Sequence, residues 1–343
     1  MKAEGRSQRH IGMDALRLFS MLLVCLFHAS KLMDDNPYVN ALCCIAVNLF
    51  ALISGYVCVQ SGWKIKRYVT LWFQVAFYSV VFFVVGRACY ETGLDTQFQT
   101  GAAKCLLPVP LAGSYWYFTA YTGLFMVMPF INKLVTTLSR QQFQALLILA
   151  VGCLSVLTGL RQTPELYSNG FNMAWLTALY LVGSYFKLYP VRWNGAVCVA
   201  VYLLCSAAVM LLKYTKGYTA MDYASPICLA SSCAVFYLFA RRSKWGGERI
   251  SRILSGLAPY AFGVYLVHMH PYVWHCLEEV GKVCCGQEWF GWWVYVAAAI
   301  VLFTVCMVLD MCRAKLFGWL KVGALAERLA GACPALLRDL EKM

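Results

Sequence analysis

Long apolar stretches alternate with short polar segments along the whole chain of 343 residues. A helix that crosses a bilayer core of about 30 Å needs roughly 20 mostly apolar residues. Measured against that length, the sequence predicts an all-α, polytopic membrane protein with about ten transmembrane helices. Gly, Pro, Asn and charged clusters mark the boundaries between them. The predicted spans are 11–33, 39–60, 68–90, 115–135, 143–160, 172–188, 193–213, 219–240, 257–277 and 289–311.

The lysines and arginines are unevenly distributed between the two sides of this arrangement. With a cytoplasmic N-terminus and alternating spans, 21 of the 29 basic residues fall in cytoplasmic segments and seven in outer loops. Such an excess is typical of the cytoplasmic side of a membrane. We therefore expect a plasma-membrane protein with both termini in the cytoplasm. The first span carries Asp14 and Arg17 and lacks a small-residue cleavage site, so it is predicted to be a retained helix and no signal peptide.

The composition excludes several other classes of protein. The chain is 61% hydrophobic and 13% charged, whereas soluble domains are about 45–50% apolar and about 25% charged. Such a chain would collapse in water, so disorder is excluded as well. The excess of basic residues in the cytoplasmic segments explains the net charge of +13, so a nucleic acid is not needed as a partner. Most of the 17 cysteines lie in apolar runs, where Cys behaves as a small hydrophobe, so a secreted disulfide scaffold is not predicted.

Two regions follow from this pattern. Residues 1–311 are predicted to form the membrane-embedded domain, and residues 312–343 a cytoplasmic tail. The tail mixes Leu316, Phe317 and Trp319 with Lys and Arg, which predicts an amphipathic helix on the inner membrane surface; a plain solvated tail is the alternative. The sequence leaves the oligomeric state open, a homo-oligomer included.

Ionisable side chains are concentrated in the first span. Each costs about 2.5–3.5 kcal/mol at membrane depth and therefore needs a reason. His10, Asp14, Arg17 and His28 fall close to one helix face, because the rotation from Arg17 to His28 is about 1100°, roughly 20° from a whole number of turns, and the rise is roughly 16 Å. Asp14 and Arg17 are spaced to form a pair. The purely structural alternative is that this pair orients the helix and His28 hydrogen-bonds inside the bundle.

Four short motifs follow one another along the chain. They are Arg17 followed after ten residues by His28, Ser54-Gly55-Tyr56 with a basic turn from Lys64 to Arg67, Ser114-Tyr115-Trp116-Tyr117 leading to Pro129-Phe130, and Tyr265-Leu266-Val267-His268. In this order they resemble the acyltransferase-3 family of integral membrane acyltransferases. The resemblance implies about ten helices and the transfer of an acyl group, usually acetyl, from cytoplasmic acyl-CoA to a hydroxyl of a cell-surface or lipid-linked glycan. Acyl-CoA is then a substrate, and no bound cofactor is expected.

The chemistry of such a transfer suits the first span. A hydroxyl is a poor nucleophile at neutral pH and needs a base within hydrogen-bond reach. His28 is accordingly predicted to be the catalytic residue, as a general base first and as an acyl-imidazole carrier second. Arg17 is predicted to anchor the donor or stabilise developing negative charge, with Asp14 orienting it.

Further contacts to the substrates are predicted outside the first span and at its start. Part of the aromatic run around Trp116 is typical of an interfacial belt, and it is also a candidate sugar-stacking wall. The predicted substrate-binding residues are Ser54, Trp116, Tyr265 and His268, and the predicted donor-binding residues are Arg9, Lys66 and Arg67. The outer loop at about 90–114, rich in Gly and Pro, is expected to cover the acceptor entrance.

Other functions are less consistent with the sequence. His268, His270 and His275 crowd the end of the ninth span, but no carboxylate or thiolate stands at a ligand spacing around them, so no metal site is predicted. A multi-pass transporter is the main alternative; it would normally distribute charged or helix-breaking positions over several spans. A sensor or scaffold would need a sizeable soluble domain. The cysteine pairs 43–44 and 284–285 are expected to pack, and a long-range disulfide is the minor alternative.

Overall fold

Helices account for all the regular structure in the part of the chain that the computed structural model describes, which is residues 9–60, 63–91, 115–157, 168–216, 222–244, 246–285 and 291–334, with Leu337 and Asp339. The all-α prediction is confirmed. The α-helices are α1 (Ile11–Leu32), α2 (Pro37–Cys43), α3 (Ala46–Cys58), α4 (Ile65–Glu91), α5 (Trp116–Thr137), α6 (Arg140–Val151), α7 (Met173–Leu188), α8 (Gly195–Lys216), α9 (Pro226–Ala240), α10 (Glu248–Leu257), α11 (Ala261–His268), α12 (Pro271–Cys285), α13 (Trp292–Trp319) and α14 (Val322–Gly331).

Seven helical segments among the described residues are long and apolar enough to cross a membrane, so the polytopic character of the chain is confirmed. The helices of residues Arg140–Val156 and Pro226–Ala240 are apolar but shorter, and α7 has 16 residues. The number ten and the side on which each terminus lies stay predictions. The seven long segments are Ile11–Leu32, Pro37–Cys58, Ile65–Glu91, Trp116–Thr137, Gly195–Thr215, Glu248–His268 and Trp292–Trp319.

The ninth predicted span, 257–277, differs from the structure in its position. The long apolar segment there is Glu248–His268, and the helix breaks at Met269 and His270 before α12 begins at Pro271. Proline lacks the backbone N–H that would continue the helix, and its ring disfavours the helical conformation of the preceding residue. The break leaves His268 as the last residue of α11.

Helix α1 lies at the centre of the bundle. Its buried side includes Asp14, Leu16, Ser20 and Cys25, and Ile11 donates its backbone N–H to the carbonyl of Ser243 at 3.0 Å. This bond satisfies one of the free donors at the helix N-terminus. The helices that pack against α1 are α2, α3, α9, α10, α11, α12 and α13.

Small residues bring α3 and α7 into direct backbone contact. A Cβ added to Gly183 would collide with the carbonyl oxygen of Leu52, and one added to Gly55 would collide with that of Tyr180. The Ser184 hydroxyl also lies 3.3 Å from the Gly55 carbonyl, to which it donates. Lipid tails are as apolar as the side chains of a helix, so helices in a membrane associate through close packing rather than through the hydrophobic effect. Small residues allow this close packing.

A buried polar network joins α4 and α13, and α11 packs against it. Gln74 and the Tyr78 hydroxyl of α4 donate to one carboxylate oxygen of Asp310 at 3.0 and 2.9 Å. Arg313 donates to both Asp310 oxygens at 2.9 Å each. Gly263 of α11 leaves the space for this carboxylate, since a Cβ there would collide with it. The glycine therefore allows α11 to pack closely against α13 beside the buried carboxylate.

The C-terminal helices extend beyond residue 311, and the predicted division at that residue stays a prediction. Helix α13 continues through that position to Trp319, and the chain turns at Lys321, whose φ is +53°. Helix α14 then packs against α4, where Lys66 forms an ion pair with Glu327 at 2.8 Å. Hydrogen bonding and attraction to Lys66 lower the pKa of Glu327 below its ordinary value. The described part of the tail thus contacts the helical bundle through a surface ion pair.

Candidate active site

A cavity of about 70 Å³ lies beside the second half of α1. Its wall is mainly aromatic and aliphatic, and it carries a few polar groups, which is the usual character of a small-molecule site. The side chains come from α1, α2, α3, α5, α11 and the segments before α9 and after α11. The lining residues are Met21, Val24, Phe27, His28, Cys43, Ala46, Val47, Phe50, Trp116, Tyr117, Tyr223, Phe262, Tyr265 and Met269.

His28 is on the wall of this cavity and its ring is turned into the bundle. The imidazole packs edge-on against Trp274 of α12, with ring centroids 5.2 Å apart and an interplanar angle of 88°. Its Nδ1 atom lies 2.9 Å from Nε2 of His268. The ring is therefore held in one orientation by a hydrogen bond and an aromatic contact, a prerequisite for a base that must meet a substrate at fixed geometry.

His268 lies behind His28 and is fully buried. Its Nδ1 atom is 2.5 Å from the carbonyl oxygen of Val264, one turn earlier on α11. His268 is not among the residues that line the cavity, so its two ring nitrogens face protein atoms. The structure thus brings the predicted site residues His28 and His268 together, with His28 nearer the cavity.

The opposite end of α1 carries a cluster of charges. Asp14 is buried and accepts from Arg9 Nε at 2.5 Å and from Arg17 Nη1 at 3.2 Å. Arg67, from α4, lies close enough to Arg17 to repel its charge. Among the described residues, Arg9 and Arg17 share the Asp14 carboxylate and Arg67 lies near Arg17, so this end of the helix keeps an excess of positive charge. Such a cluster suits an anionic group such as a phosphate.

Helix α5 connects the charge cluster with the cavity. Tyr121 lies within electrostatic range of both Arg17 and Arg67. One turn away, Tyr117 lines the cavity, and the two tyrosine rings are stacked with centroids 6.5 Å apart. Successive turns of α5 thus lie near Arg17 and beside the cavity that His28 lines.

The remaining predicted substrate-binding residues occupy different surroundings. Trp116 and Tyr265 line the cavity. The Tyr265 hydroxyl is buried and has no hydrogen-bond partner among the residues that the structure describes. Trp116 stacks on Tyr223, with ring centroids 6.0 Å apart. Ser54 is not among the lining residues; its hydroxyl donates to the Phe50 carbonyl of its own helix at 2.9 Å.

The predicted donor-binding residues also divide into two groups. Arg9 and Arg67 belong to the charge cluster around Asp14 and Arg17. Lys66 instead forms its ion pair with Glu327 of α14. Adjacent residues on a helix point in different directions, which explains why Lys66 and Arg67 have different partners.

The sequence does not single out two residues, one in the cavity wall and one at the end of α7. Tyr223 lines the cavity and stacks on Trp116, but it lies in an irregular segment before α9 with no motif around it. Lys187, at the end of α7, lies 5.0 Å above the ring of Tyr56. Its position at a helix end, where basic residues are common, was the only sequence signal for it.

Two further predictions concern metal and disulfide chemistry. In the ranges described, no three His, Cys, Asp or Glu side chains lie together in a way that could hold a metal ion. Cys43, Cys44, Cys284 and Cys285 are free thiols. The loop expected to cover the acceptor entrance, at about 90–114, falls outside the described residues except at its first two positions.

Comparisons with known proteins agree with the motifs on which the site is built. Neither the curated proteins nor the solved structures contain a significant match to this chain. A family model described as an acyltransferase domain, in contrast, matches residues 10–311. That range contains Arg17, His28, the cavity and both partners of the histidine pair. The chain therefore belongs to the acyltransferase-3 family and is a membrane acyltransferase.

Proposed function

We propose that this protein transfers an acetyl group from cytoplasmic acyl-CoA to a hydroxyl of a cell-surface or lipid-linked glycan, with His28 as the general base. The observation that carries the proposal is the position of His28. Its imidazole lines a cavity on the same helix that bears a cationic cluster at its other end. One helix thus offers a site for an anionic donor and a base for an alcohol.

A single base is sufficient for all the bond changes of the transfer. The acceptor hydroxyl oxygen attacks the thioester carbonyl carbon while the His28 imidazole takes the hydroxyl proton. The carbon–sulfur bond breaks as the carbonyl reforms, and the imidazolium returns its proton to the leaving thiolate. The products are an ester and free CoA, and a positioned base of this kind contributes about 10²- to 10⁴-fold to the rate.

The cationic cluster is suited to the donor. Acyl-CoA carries phosphate groups, and the cluster offers the guanidinium groups of Arg17, which shares the Asp14 carboxylate with Arg9, and of Arg67, which lies near Arg17. Arginine binds phosphate through paired N–H donors. In this proposal the cluster faces the cytoplasm, as the distribution of basic residues predicts, and the thioester reaches the cavity along Tyr121 and Tyr117.

The cavity supports a short acyl group and a sugar hydroxyl. The cavity, of about 70 Å³ with a mainly apolar wall, accommodates a small acyl group such as acetyl. The stacked rings of Trp116 and Tyr223 offer an aromatic face, which is suited to packing against a sugar ring. In this proposal the Tyr265 hydroxyl, which has no hydrogen-bond partner among the described residues, donates to the thioester carbonyl oxygen, where negative charge develops.

The test compares His28→Ala with wild type in membranes from cells that express each protein at equal level. Membranes are incubated with acetyl-CoA labelled in the acetyl group, and label is counted in the glycan and lipid fractions. We expect His28→Ala to lose label transfer about 10²- to 10⁴-fold. His275→Ala on α12 is the matched control and should keep wild-type transfer. Full transfer by a normally inserted His28→Ala protein would refute the role of His28.

The acceptor is tested separately by mass spectrometry of surface glycans from a deletion strain and its parent. We expect one glycan class to lose an acetyl mass in the deletion strain. If the glycans are unchanged and label appears in a lipid or protein fraction, the protein is still an acyltransferase, but its acceptor is not a glycan.

A further inference from the structure

The hydrogen bond between His28 and His268 determines which nitrogen of His28 can act as a base. We propose that His268 is a positioning residue that fixes the tautomer of His28, an inference that rests on the proposed role of His28. The sequence motif had suggested that His268 contacts the substrate. Its burial and its place behind His28 indicate that it acts through His28 instead.

The two hydrogen bonds form a series from His28 through His268 to the backbone carbonyl of Val264. The carbonyl determines the direction of both bonds. The Val264 oxygen can only accept, so Nδ1 of His268 carries a proton and donates to it. In a neutral imidazole the other nitrogen is then bare. Nε2 of His268 therefore accepts from Nδ1–H of His28 across 2.9 Å.

The consequence for His28 is a bare Nε2 atom. Because Nδ1 carries the proton and is engaged with His268, Nε2 is the nitrogen that holds a free lone pair. His28 lines the cavity, so this lone pair is the one available to a hydroxyl proton. Without His268 the ring could adopt the other tautomer, in which the cavity-facing nitrogen is a donor and cannot take a proton.

The pair differs from a triad in which a carboxylate orients the histidine. In the contacts that the structure gives for the two rings, the partner of His28 is a neutral imidazole, and the next group is a backbone carbonyl. The hydrogen bond to His268 therefore orients the His28 ring but places no negative charge beside it. For metal-binding histidines, loss of the partner that orients the ring typically costs about 10- to 100-fold in metal affinity or activity, and we expect an effect of the same order here.

Kinetics of two variants separate positioning from substrate binding. Label transfer from acetyl-CoA is measured for His268→Ala and His268→Gln, with His28→Ala as reference. We expect His268→Ala to lower kcat about 10- to 100-fold while KM for acetyl-CoA stays unchanged. The amide oxygen of Gln can accept from His28 Nδ1–H, so His268→Gln should recover part of kcat. A raised KM with unchanged kcat would overturn the inference in favour of substrate contact.

A second measurement does not depend on activity or on a variant of His268. The chain contains five histidines, so nitrogen NMR of the ¹⁵N-histidine-labelled protein in bilayers is assignable, with His28→Asn identifying the His28 signals. We expect wild-type His28 to be protonated at Nδ1 and bare at Nε2. The opposite tautomer would overturn the inference.

The outcomes also distinguish this inference from the proposed function. If His28→Ala is inactive but the His268 variants behave as wild type, only the role of His268 fails. If His28→Ala retains full transfer, the proposed function itself fails, whatever the tautomer.

Discussion

Arg313 holds both carboxylate oxygens of Asp310, three residues earlier on α13, through two hydrogen bonds of 2.9 Å. Asp310 is fully buried and the Arg313 side chain is only 10% exposed. Two donors from α4 complete the coordination of the carboxylate. A buried ion pair is costly to break because the remaining charge has no partner. The carboxylate therefore joins α13 to α4, and Gly263 of α11, the helix that carries Tyr265 and His268, packs against it.

Asp310→Asn is expected to destabilise the protein strongly. Removal of one partner from a buried ion pair costs about 3–5 kcal/mol, because Arg313 is left charged in an apolar region. Thermal unfolding of the purified protein in detergent measures the effect. The control is Glu91→Gln, which breaks the exposed pair with Arg87 and should change stability by less than about 1 kcal/mol. Equal shifts in the two variants would contradict a special role of the buried pair.

Tyr265→Phe is expected to lower activity without lowering stability. The hydroxyl is buried and has no hydrogen-bond partner among the described residues, so its removal deletes an unsatisfied polar group at no structural cost. If the hydroxyl donates to the reacting thioester, label transfer should fall by about 10-fold or more, since a hydrogen bond to a charged group is worth about 1.5–3 kcal/mol.

Tyr115→Phe is the matched control for Tyr265→Phe. The Tyr115 hydroxyl donates to the Leu266 carbonyl at 2.8 Å, so its loss should cost about 1 kcal/mol of stability. Its effect on transfer should be the smaller of the two. A Tyr265→Phe protein with wild-type transfer would show that the hydroxyl is not used in the reaction.

Gly183→Ala is expected to separate α3 from α7. The added methyl group would collide with the backbone carbonyl of Leu52, and relief requires movement of a helix. Overpacking of this kind costs about 1–3 kcal/mol, which thermal unfolding should detect. Gly318→Ala is the control, because a Cβ at that position of α13 meets no atom within 4 Å, and helix propensity predicts a gain of about 1 kcal/mol. If Gly183→Ala and Gly318→Ala destabilise the protein to the same extent, the contact between α3 and α7 is not the cause.

Features that depend on neighbouring residues of one helix were predictable. Apolar length located the helices because a bilayer sets a minimum length for a span. The Asp14–Arg17 pair followed from a spacing of three residues, which places two side chains on one helix face. The same helical geometry places Arg17 and His28 on one face of α1, because the helix is continuous from Ile11 to Leu32.

The tertiary structure decided how those helices meet. His28 and His268 are 240 residues apart in sequence, and Asp310 is 236 residues from Gln74. Hydropathy contains no information about such pairs, because lipid and helix surface are equally apolar and the choice of partner depends on shape and hydrogen bonds. The sequence by itself thus determined the family, the all-α membrane character and the local charge pair. Packing alone decided that His28 meets a second histidine beside a cavity, since only the folded bundle places α1 against α11.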